Sequence, residues 1–400
     1  CALMELTRRA LLGFAAAAPL VACTHDERVA HATASGDEWA RVRDEFELEP
    51  GVIDLDNGWS CPTPREVMAS YDRQMHQLVR LPAREFPRMA HEVTAAQVVP
   101  ALAALLGVPA AEVAITRNTT EGIGTILLGY PFQPGDEVVA STADYGPMLE
   151  MLGARIARGE VVGRRVELPV PAPSPQAIVD AYAQQITRKT KLVLITHASS
   201  RTGQLAPIAA IAELAHARGA EVAVDAAQTF GLLGFTLPEL DCDYFASSTH
   251  KWLMAPPTGG VLWMRPEHVA KIPARFGGAD TAHPMARYAQ FGEAPQPAFT
   301  AILDALAFRS RIGAAKIEAR MRELSSYLRA GLRAIPGVRF HTVDEAWASC
   351  GIVAFDLPGR DPVELQKTLW ERDRILTQAQ APADAPALRG LRVTPAIYTS

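Results

Sequence analysis

The sequence is poor in cysteine, carries no excess of positive charge and has no long run of apolar residues. Its five cysteines are scattered and include no CxxC pair, which excludes a disulfide scaffold and gives no ligand set for zinc. A formal net charge of −5 supplies no basic face for nucleic acid. The apolar runs are too short for a membrane protein of several spans. The remaining composition, 48% hydrophobic and 21% charged over 400 residues, is typical of a soluble globular protein with a sizeable core.

The first residues resemble an export signal. Arg8 and Arg9 precede an apolar run at residues 13–22, and secretory signals place a basic region before an apolar one in this way. Paired arginines are typical of the twin-arginine route, so we expect the protein in the periplasm or the cell envelope. The alternative is an amphipathic N-terminal helix of a cytoplasmic enzyme.

Residues 20–23 resemble a lipobox, in which Cys23 would carry a lipid anchor. We therefore assign residues 1–23 to a signal segment and the polar residues 24–49 to an N-terminal arm. The chain begins with Cys1 rather than Met and ends soon after a strand-like segment, so we expect it to be a fragment at both ends.

From residue 50 onward, short β-branched runs alternate with helical patterns, which predicts an α/β fold with a mainly parallel central sheet flanked by helices. The pattern then changes to a long helical stretch, so we expect a large domain at 50–290 and a smaller C-terminal α+β domain at 291–400. Predicted strands occupy residues 138–140, 191–195, 221–224, 244–246, 259–264, 338–340, 351–355 and 391–393. Predicted helices occupy residues 177–186, 208–218, 298–334 and 362–372.

Three short motifs carry chemistry. Asp225 ends a predicted buried strand, where open α/β sheets bind ligands, although an aspartate there is also a common helix cap. Lys251 follows a predicted strand among apolar residues, and burial lowers the pKa of a lysine toward that of a nucleophilic amine. A surface lysine is the alternative. The hydroxyl residues within 116–124 precede a predicted helix, whose N-terminus would bind an anion or carry a simple N-cap.

Together these motifs resemble the pyridoxal-phosphate (PLP) enzymes of fold type I, in the class V aminotransferase branch that includes cysteine desulfurases and isopenicillin N epimerase-like proteins. The order along the chain is a phosphate turn, an aromatic residue after the next strand, an Asp-x-x-Gln motif and a Ser-x-His-Lys motif. The resemblance covers about residues 50–400. It implies the PLP-transferase fold, PLP as the cofactor, an amino-acid substrate and a homodimer, with no metal and no nucleic acid.

The resemblance implies a role for each matching residue. Lys251 would form a Schiff base with PLP, Asp225 would pair with the pyridine nitrogen, and Gln228 would bind the ring 3-oxygen. Four residues would hold the phosphate, namely Thr119 through its backbone N–H, Thr120 through its side chain, Ser248 and His250.

Other residues would face the ring or the substrate. Tyr145 would stack on the ring and Arg392 would bind the substrate α-carboxylate with its fork of N–H groups. For both residues a surface position is the alternative. His197 and Ser200 lie on the loop that faces the substrate in this family, although many relatives have Asn in place of Ser200. Beside it, Arg201 would bind a second acidic group or be exposed to solvent.

Glu293 is a second departure from the family pattern. Relatives carry a threonine here that reaches the phosphate of the neighbouring subunit, and a carboxylate in that place would repel the phosphate. Either the register differs here or this phosphate site is weaker.

The resemblance leaves the reaction open. The persulfide route of desulfuration needs a thiol shortly before the carboxylate arginine, and the sequence has none between Asp361 and Arg392. The amino-acid sequence is most similar to isopenicillin N epimerase-like proteins, and this similarity favours epimerisation through a Cα carbanion. Lys251 would then serve one face of that carbon, with Tyr145 or His197 as the second base. Transamination, C–S lysis and β-elimination need the same residues, and a catalytically inactive envelope protein that keeps the fold is the non-enzymatic alternative.

Overall fold

Short β-branched runs form the strands, and the helices lie between them. The computed structural model describes residues 36–277, 284–290, 292–382 and 385–400, so the predicted export signal and lipobox lie outside the described residues. The strands are β1 (Ile53–Asp54), β2 (Val113–Thr116), β3 (Glu137–Ser141), β4 (Val162–Val166), β5 (Thr190–Thr196), β6 (Glu221–Asp225), β7 (Tyr244–Ser248), β8 (Gly260–Met264), β9 (Arg339–Phe340), β10 (Val353–Asp356), β11 (Ile375–Leu376), β12 (Gln378–Gln380) and β13 (Gly390–Val393).

The helices cover both faces of the sheets. They are α1 (Gly36–Asp44), α2 (Arg65–Arg80), α3 (Pro82–Arg88), α4 (Val99–Leu106), α5 (Thr119–Gly129), α6 (Gly146–Ala157), α7 (Pro175–Gln185), α8 (Ile208–His216), α9 (Leu237–Leu240), α10 (Pro266–Val269), α11 (Gln296–Thr300), α12 (Ile302–Ile312), α13 (Ala314–Arg333) and α14 (Pro362–Asp373). A π-helix (Met89–Val98) joins α3 to α4, and short 3₁₀ turns occupy Ala110–Glu112, Pro284–Ala289 and Pro386–Leu388.

The central sheet has seven strands in the order β2-β8-β7-β6-β5-β3-β4. Strand β8 is antiparallel to both of its neighbours, and the other six strands run in one direction. Alternate residues enter two different cores: Val222 and Val224 of β6 pack on one face, and Ala223 packs on the other. A sheet buried on both faces explains the nearly continuous apolar runs and confirms the predicted α/β class.

The long helical stretch predicted at 298–334 consists of three helices, α11, α12 and α13. Gly313 ends α12 with φ +96°, a conformation that a residue with a Cβ rarely adopts, and α13 starts immediately after it. Helices α11 and α12 still pack into the core of the central sheet through Phe299, Ile302 and Phe308.

A second sheet, antiparallel and four-stranded, has the order β12-β13-β10-β9. The described part of the predicted N-terminal arm is not a loose tether, because α1 buries Trp39 and Val42 in the main core. Further along, Phe46 packs on Tyr398 with ring centroids 4.9 Å apart. Strand β1 pairs with β11, so the start of the predicted large domain contributes to the C-terminal part of the fold. The domain limits themselves stay a prediction.

Candidate active site

The strands that run in one direction end at a single edge of the central sheet, and the predicted site residues follow these ends. Asp225 is the last residue of β6 and Ser248 is the last residue of β7. Tyr145 follows β3, and His197 follows β5 directly. Open α/β sheets bind ligands at this edge.

Lys251 and Asp225 form the centre of the site. Burial lowers the pKa of Lys251 to about 8, Asp225 opposes that shift, and Arg392 adds to it. Burial raises the pKa of Asp225, while the N–H of Ala227, 2.9 Å from Oδ1, and the charge of Lys251 oppose the rise. No described residue donates to the other oxygen, Oδ2, so this carboxylate keeps one oxygen for a ligand.

Gln228 is fixed by two neighbours. The indole N–H of Trp252 donates to its Oε1 at 3.0 Å, and its Nε2 donates to the carbonyl of Gly58 at 2.8 Å. An indole nitrogen only donates, so the orientation of the amide is settled and one N–H of Nε2 is left for a ligand acceptor.

The start of α5 is tied to the end of β7. The backbone N–H of Thr119 donates to Oγ of Ser248 at 2.9 Å, and the two hydroxyls lie 2.7 Å apart. The N-cap is Asn118, whose side chain accepts from the N–H of Glu121 at 2.8 Å. The close approach requires Gly122, because a Cβ there would lie 2.5 Å from that of Ala246. The Thr119 N–H predicted to bind phosphate therefore already has a protein partner, and the predicted roles of Thr120 and Ser248 at the phosphate stay predictions.

Two buried polar atoms in the turn before Lys251 have no partner among the described residues. They are Oγ1 of Thr249 and Nδ1 of His250. Burial lowers the pKa of His250 to about 4, and the charge of Lys251 adds to the effect. Nδ1 of His250 is thus a candidate hydrogen-bond partner for a ligand, whereas Oγ1 of Thr249 lies close to Gly259.

Tyr145 lies between the end of β3 and the start of α6. Its neighbour Asp144 accepts from the N–H groups of Ser141 at 2.6 Å and Thr196 at 2.8 Å, which ties the ends of β3 and β5 together. Burial raises the pKa of Asp144 to about 6. The Tyr145 side chain itself is 39% exposed, so its ring is available to a ligand.

His197 faces the protein instead. Its Nδ1 lies 3.0 Å from Oγ1 of Thr229, its ring meets Phe235 edge-on at 5.0 Å, and burial lowers its pKa to about 4. These contacts give the imidazole a neutral, packed position, which does not favour the predicted role of second base.

Arg392 lies on β13 and joins three separate segments. Its Nη1 donates to the carbonyl of Ser200 at 3.0 Å, and its Nη2 pairs with Oδ1 of Asp56 at 2.5 Å. Its Nε is buried and has no partner within the described part of the chain. Ser200 thus touches the arginine through its backbone, and Arg392 keeps N–H groups for a substrate carboxylate.

The sequence profile of the family "Aminotransferase class-V" matches residues 53–398. The chain belongs to the class V aminotransferase family. Isopenicillin N epimerase of Streptomyces clavuligerus is 30% identical over 384 residues, which cover 91% of this chain and 95% of that protein. The isopenicillin N epimerase of Amycolatopsis lactamdurans is 31% identical over 382 residues, which cover 88% and 93%.

A solved structure shows the same fold. The cystine C–S lyase C-DES, in a form with glycine covalently linked to its PLP cofactor, superimposes with a TM-score of 0.79 at 21% identity and covers 90% of this chain and 95% of its own. The comparisons confirm the predicted family, the PLP-transferase fold and the prediction of a PLP-dependent enzyme. The roles of individual residues stay predictions.

The residues present in this class V enzyme fit PLP. Lys251 supplies the amine, Asp225 the acid for the ring nitrogen, and the unsatisfied Nδ1 of His250 and the hydroxyl of Ser248, from the same turn, would bind the phosphate. The donor set and the buried carboxylate match an anionic group at one end and a protonated ring nitrogen at the other.

Sequence reasoning missed the segment from Asp54 to Cys61. Besides the Asp56–Arg392 ion pair, the backbone N–H of Cys61 donates to the carbonyl of His250 at 3.1 Å. The Cys61 thiol is buried, which raises its pKa, and Lys251 opposes that rise. The only local signal is a polar Asp–Asn–Gly run that is typical of any turn.

Glu293 is exposed and follows Gly292, which has φ +74°. It borders a surface groove with Met75, Leu78 and Phe86. The predicted conflict with a phosphate of the neighbouring subunit stays a prediction.

Proposed function

We propose that this PLP-dependent enzyme epimerises an α-amino acid by moving the proton of its Cα. Bound PLP withdraws electrons from that carbon and so makes the proton acidic. The proposal is supported by sequence identity of 30–31% to two isopenicillin N epimerases over about nine tenths of the chain. It is also supported by the lowered pKa of the buried Lys251 amine.

Different side chains of the protein bind the substrate and transfer the proton. Arg392 holds the α-carboxylate through the N–H groups that Ser200 and Asp56 leave unused. Lys251, with its lowered pKa, takes the proton on one face of Cα. Tyr145 is the proposed proton donor on the other face, because its side chain is partly exposed, whereas His197 is packed against Phe235.

Cysteine desulfuration by a persulfide is disfavoured. The sequence has no cysteine between Asp361 and Arg392, where the reactive thiol would lie. The three cysteines that the structure describes, Cys61, Cys242 and Cys350, are all buried, and burial raises the pKa of each thiol, which disfavours the reactive thiolate.

The test is incubation of the PLP-loaded protein with single L-amino acids in D₂O. Epimerisation would give the D-enantiomer with deuterium at Cα, measured by chiral chromatography and NMR, and Lys251→Ala would give neither. A keto acid as the main product would replace the proposal with transamination. Release of a β-substituent or of sulfur would replace it with a lyase. If no amino acid exchanges its Cα proton and PLP gives no absorbance band that depends on Lys251, the protein is a binding module that keeps the fold.

We also propose export by the twin-arginine route. Arg8 and Arg9 support it, and so does the cofactor, because this route carries folded proteins that were loaded with PLP in the cytoplasm. The test is the cellular location of the full-length protein and of Arg8→Lys/Arg9→Lys. Export lost in the variant supports the route, and cytoplasmic retention of both proteins refutes it. Mass spectrometry of the N-terminal peptide decides whether Cys23 carries a lipid.

We further propose a homodimer that buries the helical segment Pro82–Leu106. This segment is long and apolar enough to span a membrane by length and composition, yet Val98 and Leu102 belong to the core and only 33% of its most apolar window is buried. Ala95, Ala96 and Val99 of this segment line a groove together with Met285 and Phe299, and an apolar groove is typical of an interface. Sedimentation of the wild type should give a dimer that Ala96→Arg weakens, and a monomeric wild type would refute the proposal.

A further inference from the structure

A polar surface surrounds Arg392 on one face of the C-terminal sheet. Gln378 is the direct partner of Arg392 in the β12–β13 pair, and Gln380 lies two residues further along, so their side chains point to the same face. The loop after β5 lies against this face, because Gln380 donates to the carbonyl of Arg201 at 2.6 Å and Arg392 donates to that of Ser200.

Arg201 is the unexplained member of this surface. Its Nη1 is buried, and its guanidinium makes no hydrogen bond or ion pair with any described residue. By contrast, Arg392 forms an ion pair with Asp56. A guanidinium N–H removed from water without an acceptor is costly, and such groups are normally satisfied by a partner or a ligand.

Two guanidinium N–H groups without an acceptor among the described residues therefore belong to the neighbours of Ser200: Arg392 donates to its carbonyl, and Arg201 follows it in the chain. One is Nε of Arg392, which suits the α-carboxylate of an amino acid, and the other is Nη1 of Arg201. One guanidinium group is enough to bind one carboxylate, so the second arginine is available to a second anion. Asp56 places a negative charge on the same surface, which favours a singly charged carboxylate over a doubly charged phosphate.

We propose that the substrate is an amino acid with a second, distal carboxylate, and that Arg201 binds this group. The inference rests on the proposed function, because it takes Arg392 as the site of the α-carboxylate. Arg201 would then set the substrate class and leave the proton transfer to Lys251.

The experiment compares ω-carboxyl amino acids with their neutral amides, L-glutamate with L-glutamine and the next longer pair, in the Cα-exchange assay. The wild type should prefer each acid by about tenfold or more in kcat/KM, the effect of one charged hydrogen bond. Arg201→Gln should remove that preference and change the amides by less than about twofold. Arg360→Gln is the matched control, because Arg360 is an exposed arginine on the loop before α14.

A second readout does not depend on turnover. Glutarate, which has two carboxylates and no amino group, should raise the melting temperature of the PLP-loaded wild type and not that of Arg201→Gln. The inference is overturned if the wild type shows no preference for acids and no stabilisation by glutarate. It is also overturned if Arg201→Gln lowers acids and amides equally, since both arginines would then bind one carboxylate. If no amino acid reacts but glutarate stabilises through Arg201, the anion site stands and the proposed function fails.

Discussion

The part of the site that faces the cofactor is built from the ends of neighbouring strands, whereas the part that faces the substrate joins segments far apart in the chain. In the cofactor half (Thr119, Asp225, Gln228, Ser248 and Lys251), the contacts are buried and most side chains already have a protein partner. Groups held in place by protein partners suit a cofactor that stays bound.

The substrate half (Asp56, Ser200, Arg201 and Arg392) differs in its charge and in the separation of its residues along the chain. It holds an ion pair between residues 336 positions apart and two guanidinium N–H groups without an acceptor among the described residues. Charged groups from distant segments suit a substrate that binds and leaves at every turnover. The contrast predicts that substitutions in the cofactor half weaken cofactor binding and lower kcat, and that substitutions in the substrate half raise KM.

Lys251→Ala should have the largest effect. Loss of the amine removes both the attachment of PLP and the proton acceptor, so Cα exchange should fall by about 10²- to 10⁴-fold and the absorbance band of the bound cofactor should shift or vanish. Lys367→Ala, at an exposed lysine of α14, is the control and should behave as wild type. Full exchange activity in Lys251→Ala would remove this lysine from the mechanism.

Arg392→Gln should act mainly on the substrate half, with a smaller effect through the charge that Arg392 exerts on Lys251. The loss of charged hydrogen bonds to the carboxylate, roughly 1.5–3 kcal/mol, should raise KM by about 10- to 100-fold, with a smaller change in kcat. Asp56→Asn should raise KM less, because it removes the ion pair that positions the guanidinium and keeps the guanidinium itself. The cofactor spectrum is the control readout, and a lost spectrum in either variant would contradict the division into halves.

The pH dependence of Lys251 sharpens the comparison within the cofactor half. Only the uncharged amine reacts, and its fraction rises as the pH passes through about 8, so labelling of Lys251 in the PLP-free protein should slow by about tenfold for each unit below that pH. Asp225→Asn removes a charge that raises the pKa of Lys251, so the midpoint should move to lower pH. Mass spectrometry of the labelled peptide gives the rate, and a midpoint near the ordinary lysine value of 10.5 would show that the amine is not desolvated.

The two halves also differ in how much the sequence reveals of them. Asp225 and Lys251 follow apolar strands whose periodicity is local, so the parallel sheet and the edge that holds them were predictable. The partner of Arg392 was not, because Asp56 reaches it through the pairing of β1 with β11, which joins the two ends of the described chain. The break at Gly313 was missed for a related reason: a helical pattern continues across the glycine, and packing decides where the chain turns. His197 lies on the predicted loop, yet the direction of its ring depends on Phe235, which no local pattern shows.

Trp252→Phe should have the smallest effect and should fall on the cofactor half alone. Phenylalanine keeps an aromatic ring at this buried position, although a smaller one, and removes the N–H that fixes Gln228, which leaves Oε1 of the amide without its donor at 3.0 Å. The loss of one hydrogen bond, about 1 kcal/mol, should weaken PLP binding by about fivefold and leave KM for the amino acid unchanged. Titration of the PLP-free protein with PLP, followed by absorbance, measures the first quantity, and the exchange assay at saturating PLP measures the second. A change in KM with unchanged PLP affinity would show that Gln228 acts on the substrate, and Gln228 would then belong to the substrate half.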